Sequence, residues 1–146
     1  MSLHLLKLCV GIDHVQELRD WQIKRLAERR AAGEPDELFH RTTQTPRQRE
    51  ALLDGGSLYW VIKGVVLVRQ RILDLRAGER PDGRACCQII LDPELVTTRP
   101  QPRRAFQGWR YLKPEDAPAD AAGPGFAEDV PQEMLGDLVE LGLIRA

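Results

Sequence analysis

Long apolar runs, paired cysteines and grouped metal ligands are all missing from this chain of 146 residues. Nowhere do roughly 18 apolar residues follow one another, so no membrane-spanning helix is expected. There are only three cysteines, Cys9, Cys86 and Cys87. The opening MSLHLLKLCVGIDH has no charged leader ahead of its apolar run, so it does not read as a secretory signal, and a reducing cytoplasm is the expected location. His4, His14 and His40 lie far apart, and no two His or Cys stand at ligand spacing within a loop. Neither a metal nor a cofactor is expected. Cys86 and Cys87 are adjacent in a strand-like run, which sends their side chains to opposite faces and suits two buried, inert thiols.

The familiar catalytic signatures are also absent. There is no GxSxG elbow, and no Cys/His pair stands at a suggestive spacing. Gly55–Gly56–Ser57 lacks the lysine of a phosphate-binding loop and follows a helix instead of opening one, so it reads as a helix C-cap.

Charge is present in quantity and is unevenly placed. Residues 1–40 carry six Lys/Arg against seven Asp/Glu, residues 41–113 carry fourteen against seven, and residues 114–146 carry one against eight. A basic middle followed by an acidic end has two explanations. Either the middle meets a polyanion, or the end folds back and neutralises it.

At this length one domain, 1–146, is expected, with a core large enough to fold without disulfides. Leu3–Val10 reads as a buried strand. Asp13, with Gln16 at the capping-box position, starts a helix through Val15, Leu18, Trp21, Ile23 and Leu26 that Gly33 stops. Glu34–Glu37 reads as a polar turn. Thr45, Pro46 and Gln48 announce a second helix ending at Gly55. Ser57–Lys63 alternates as a strand, with Trp60 on the core face beside Leu58 and Ile62. Gly64 marks a turn into a long strand, Val65–Arg76, whose alternation changes midway: Val65 and Leu67 share a face with Arg69 and Arg71 before Leu73 and Leu75 return. Such a strand either bulges or passes a sheet rim.

Asp82–Gly83 signals a turn into Ala85–Leu91, and a short strand over Glu94–Thr98 follows. Pro100 and Pro102 read as an extended linker, and Phe106–Leu112 as a closing strand. Residues 113–128 read as a loop-rich acidic segment. A last helix in 129–142 is marked by Met134, Leu135, Leu138 and Val139. The class is α+β, with a small antiparallel, barrel-like sheet flanked by about three helices.

Basic residues interleaved with aromatics are the main functional signal. Arg47, Arg49, Lys63, Arg69, Arg71, Arg103, Arg104 and Arg110 stand with Tyr59 and Trp109 as candidate nucleic-acid contacts, and Arg41 belongs to the same basic set. Guanidinium groups neutralise phosphates, and aromatic faces stack unpaired bases. No basic recognition helix is apparent, so single-stranded or structured RNA fits better than duplex DNA. The plain alternative for Arg69 and Arg71 is an ion pair with Asp74, Glu79 or the acidic end.

The strings ALLDGGSLYWVIKG (51–64), RQRILDL (69–75) and FQGWRYLKPEDAP (106–118) resemble a bacterial family catalogued as a domain of unknown function, from which no activity carries over. The order of RTTQTPRQREALLDGGSLYWVIKG (41–64), VVLVRQRILDLRAG (65–78) and GWRYL (108–112) also resembles the ASCH and EVE branches of the PUA-like superfamily. That resemblance implies a pseudo-barrel with a cleft for RNA or a modified base. Some ASCH-like hydrolases would add a Lys, a Thr and a Glu. This chain offers Thr42, Thr43 and Thr45 but no Lys from 25 to 62.

Three readings follow. The first is an RNA- or nucleotide-binding module using the basic middle. The second is a protein-interaction or structural domain, with a second copy or a protein as partner, whose acidic end covers that face. The third is a nucleoside-directed hydrolase, with Glu50 paired to a Thr or Lys63.

Overall fold

One long strand organises the molecule, and most other strands reach the sheet through it. The computed structural model describes residues 2–121. In chain order the elements are β1 (His4–Leu8), α1 (Val15–Ala31), β2 (Leu38–Thr42), α2 (Arg49–Leu53), β3 (Ser57–Ile62), β4 (Val65–Glu79), β5 (Ala85–Leu91), β6 (Val96–Pro102) and β7 (Trp109–Leu112). A 3-10 turn at Pro114–Asp116 follows. The strands form one mixed sheet in the order β2-β5-β4-β3-β1-β7, with β6 also beside β4.

The chain is therefore α+β with the sheet dominant, but two expected features change. The sheet is not wholly antiparallel, because β1 runs parallel to β3 with Leu5 opposite Leu58 and Lys7 opposite Trp60. A parallel pair needs a long crossover, and α1, β2 and α2 supply it. Nor does the sheet close, since β2 at one end and β7 at the other share no ladder. Two helices lie among the described residues, and the helix expected in 129–142 lies outside them.

β4 has room for three partners. Its first half pairs with β3 on one edge and β6 on the other, and its second half pairs with β5. The β3–β4 hairpin turns on Lys63 (φ 50°) and Gly64 (φ 79°). Two consecutive left-handed residues give the tight turn whose twist matches the flanking strands. The expected change of alternation is real and comes from bulges. Register shifts between Val66 and Val68 turn Val68, Gln70 and Ile72 inward, leaving Arg69 and Arg71 on the other face opposite Tyr59 and Ser57. A second shift between Ile72 and Asp74 leaves Leu73 half exposed and restores Leu75 to the core.

Other local expectations shift for identifiable reasons. Leu38–Thr42 is a strand that the sequence pattern did not announce, held by antiparallel pairing with β5. Pro100 and Pro102 lie within β6, not in a linker. Pro100 falls where the β4–β6 register slips, a place where a missing N–H is tolerated. α1 begins at Val15 with His14 at its cap and no side-chain bond there, so Asp13 does not cap it. α2 begins at Arg49, not beside Thr45. The Tyr111 hydroxyl accepts from the backbone N–H groups of Arg47 (2.9 Å) and Gln48 (3.1 Å), holding the preceding residues out of the helix.

The sheet buries both faces. The larger core gathers Leu5, Leu18, Leu38, Leu58, Trp60, Ile72, Ile89 and Leu91 under α1. The smaller gathers Leu6, Tyr59, Val61, Val66 and Leu112, covered partly by Phe106 and Ala117. Trp60 is core, as its alternating face implied. Cys86 and Cys87 are both buried free thiols.

The larger core contains one fully buried amide, Gln70. Its oxygen accepts from the Trp60 indole N–H (2.8 Å) and from Gln22 Nε2 (2.9 Å). Its nitrogen donates to Gln22 Oε1 (2.9 Å) and to the Asp92 carbonyl (3.0 Å). All four hydrogen-bonding positions of the side chain are filled, tying α1, β3 and the segment after β5 to β4. Replacing Gln70 by Leu leaves the Trp60 N–H and the Asp92 carbonyl buried without partners. A loss of roughly 2–4 kcal/mol is expected, from about 1–3 kcal/mol for each orphaned group. Urea unfolding of Gln70→Leu checks this, and a loss below about 1 kcal/mol would mean the network is not a principal tie.

Candidate functional site

The sequence-marked basic residues do not converge. Arg49 on α2 is paired with Asp74 (2.6 Å) and also donates to the Leu75 carbonyl, so it closes the β4 edge that β3 leaves uncovered. Arg69 makes a two-pronged bond to Asp120, with both contacts at 2.8 Å, and reaches the Ser57 hydroxyl at 3.1 Å. These bonds raise the Arg69 pKa and lower that of Asp120.

Lys63 sits in the hairpin 4.0 Å from Asp13. Arg103 bonds to Gln101 and to the Asp116 carbonyl. Arg110 lies over the Phe106 ring at 5.8 Å. Arg47, Arg71 and Arg104 are exposed. Tyr59 is only 5% exposed, with its ring edge-on to His4, and offers no open face to a base. Glu50 is exposed on α2 and lines a shallow depression, apart from Lys63 at the β3–β4 turn.

The unclosed sheet creates a different gathering. Trp109 on β7 and Trp60 on β3 both stand opposite Lys7 of β1. Directly opposed residues share a face, so Lys7 projects inward between two indoles. The segment after β2 crosses the gap, where its Gln44 carbonyl accepts from the Trp109 indole N–H at 2.9 Å. The sheet ends are thus bridged without being zipped.

Between them lies a cleft of about 520 Å³ lined by Lys7, Arg41, Arg80, Thr43, Trp109 and neighbouring residues, none of them Asp or Glu. Arg80 donates to the Thr43 hydroxyl at 3.0 Å. Arg41 lies against the Phe39 ring, and its Nε is buried with no partner. Among the described residues none of these three cations is in an ion pair.

Lys7 also lines a second space, an apolar cavity of about 350 Å³ between the sheet and α1. Leu8, Leu18, Leu38, Phe39 and Leu91 make most of its wall, Trp60 and His40 stand inside, and Trp21 forms part of its rim. His40 meets the Trp60 ring edge-on at 5.1 Å. Its Nε2 is buried without a hydrogen-bond partner. Burial, and then the charges of Lys7 and Arg80, push its pKa down to about 4, so the ring is neutral at pH 7. Burial and Arg80 lower the Lys7 pKa too. Cys9, also in the wall, is driven up to about 12 chiefly by burial, so it is a thiol and no nucleophile. Among the described residues no three His, Cys, Asp or Glu are grouped to hold a metal, and no helix is long and apolar enough to cross a membrane.

Over residues 5–144 the chain matches the family described as "Protein of unknown function (DUF1489)". It belongs to that family. No curated protein and no solved structure matches it.

Sequence reasoning identified Trp109 and placed Arg41 in its basic set, but missed Lys7, His40 and Arg80, which come from separate strands and a turn. One signal for Lys7 was visible: a lysine inside an apolar strand.

A pH dependence follows. A His held below its unfolded pKa of 6.5 adds stability above that value, and the contribution is lost as pH falls from about 6.5 towards about 4. His4, also lowered by burial, contributes in the same direction. Stability of His40→Gln should therefore fall less steeply than the parent's over that window. Parallel urea-midpoint curves for the two proteins would show that His40 is not held neutral.

Proposed function

We propose that this DUF1489 chain is an RNA- or nucleotide-binding module whose phosphate site is the cleft between the two ends of its sheet. The supporting observation is the company of Lys7, Arg41 and Arg80, which line one concavity without a carboxylate. Surface arginines elsewhere, such as Arg49 and Arg76, have acidic partners. A set of cations outside any ion pair, one of them with a buried Nε that has no partner, is suited to a multivalent oxygen acceptor, and a phosphate is one. Trp109 on the same wall supplies an aromatic surface, and Arg47, Arg71, Arg104 and Arg110 extend the positive field across exposed ground. The PUA-like resemblance would imply a cleft for RNA, but the sheet is not closed into the pseudo-barrel that it also implies. The modified-base and hydrolase versions of that resemblance have no comparable support.

A second reading is favoured by one contact. The Arg69–Asp120 pair fastens the start of the acidic end to the basic middle, as expected of an end that covers this face. The two readings rest on different residues and separate experimentally.

Fluorescence anisotropy with transfer RNA, a single strand and a duplex, across a salt titration, tests the first. Binding should weaken steeply with salt and fall about tenfold or more in Lys7→Gln with Arg80→Gln. Unchanged affinity in that folded double variant would remove the cleft from the interface. Asp120→Asn tests the second. Higher RNA affinity means that Asp120 masks a site on Arg69, whereas a lower Tm with unchanged affinity means that the pair is structural.

A further inference from the structure

The apolar cavity and the cationic cleft meet at Lys7, which lines both. Along β2, His40 lines the first and Arg41 the second. We propose that the two spaces form one nucleotide site, in which a single nucleobase occupies the cavity under α1 and its phosphate lies against Lys7, Arg41 and Arg80. This rests on the RNA- or nucleotide-binding reading above and specifies the ligand unit.

Shape and chemistry select a heteroaromatic ring over other apolar groups. The cavity, at about 350 Å³, lies near the lower end of the roughly 300–1,000 Å³ range of ligand pockets, which suits one base and not two. Its walls carry flat rings, with Trp60 and His40 set edge to face and Trp21 at the rim, 47% exposed.

The polar groups inside decide the class. His40 Nε2 is buried without a partner. The Gln22 amide also lines the cavity, and its two bonds to Gln70 leave one N–H and one oxygen lone pair unused. An acyl chain would fill the volume but leave these groups unsatisfied, and each buried orphan counts against that occupant. The edge of a nucleobase carries both donors and acceptors and can meet them. A phosphate a ribose away from the base would then lie towards Lys7, the residue joining the two spaces. Neutral His40 also allows its ring to sit beside Lys7 and Arg80 without adding a third charge at the cavity mouth.

The same nucleotide unit has two sources, a free mononucleotide or one residue turned out of an RNA strand. Calorimetry and tryptophan fluorescence with AMP, GMP, CMP and UMP should reveal one that binds at least about tenfold tighter than both ribose 5-phosphate and its own nucleoside. His40→Leu should lower that affinity about tenfold while leaving the weak binding of ribose 5-phosphate unchanged, and Lys7→Met should weaken both. Binding only to a single-stranded oligonucleotide, lost on making one residue abasic and weakened by His40→Leu, supports the site with the strand as source.

Should His40→Leu fail to fold, Cys9→Phe, which fills the cavity from its wall, takes its place and should abolish the base-dependent part. RNA or nucleotide binding that depends on Lys7 and Arg80 but is identical in the parent, His40→Leu and Cys9→Phe would overturn the base pocket and leave the phosphate cleft standing. Absence of binding to every nucleotide and every RNA, even at low salt, would overturn both.

Discussion

The Gln70 carboxamide is the point at which a flat ladder of strands becomes a structure with an inside. β4 carries it on the inner face, and its four bonds run to a helix, a neighbouring strand and the turn that ends β5. A buried amide is tolerable only when all its positions are filled, so the arrangement is strongly selective. Shifting α1 along its axis would lose Gln22, and slipping β3 would lose Trp60. α1 needs such a tie because little else fixes it. Only Val15, Leu18 and Gln22 are buried along its 17 residues, and Trp21 and Ile23 remain outside. A helix held by a few apolar contacts and one polar clamp leaves space beneath it, and the cavity occupies that space.

Incomplete closure of the sheet has a parallel consequence. Had β2 and β7 zipped together, Lys7 would face a sealed interior and would lack a route to solvent. Instead the segment 43–48 crosses the gap on three hydrogen bonds with side chains of β7: the Trp109 indole donates to the Gln44 carbonyl, and the Tyr111 hydroxyl accepts from the N–H groups of Arg47 and Gln48. Those bonds hold the ends in register without filling the space between them. The same bonds delay the start of α2, so the short helix, the bridge and the cleft have a common origin in one β7 surface.

The legible part of the fold was the part encoded over short distances. Val65–Leu91 announced its strands, its Asp82–Gly83 turn and its irregular alternation, and the Trp60 core assignment followed from two alternating neighbours, Leu58 and Ile62. Leu38–Thr42 was silent because its strand character comes from pairing with β5, 45 residues away at Thr42↔Cys87. The α2 start was misplaced for the same kind of reason, since a tyrosine 64 residues on from Arg47 overrides local capping signals. Arg69 was marked because it broke an apolar pattern. Its partner Asp120 is one of the plain alternatives the charge distribution allowed. The candidate-site residues with the least local signal, His40 and Arg80, join the cavity and the cleft only through the sheet's long-range pairing.

Charge then separates the molecule into two kinds of surface. Pairs such as Arg30–Asp36, both exposed, contribute little to stability. Arg49 and Arg69 each bind a second partner besides a carboxylate, the Leu75 carbonyl and the Ser57 hydroxyl, and close a strand edge or fasten the chain after β7. Lys7, Arg41 and Arg80 fit neither pattern. They repel one another at the margin of a low-dielectric cavity, where like charges interact more strongly than at open surface. Burial first, and then the charge of Arg80, lowers the pKa of Lys7, while burial followed by the charges of Lys7 and Arg80 lowers that of His40. Stability alone gives no reason for such an arrangement. Departures from local consistency tend to concentrate at functional sites, and in this fold the departure coincides with the gap between β2 and β7.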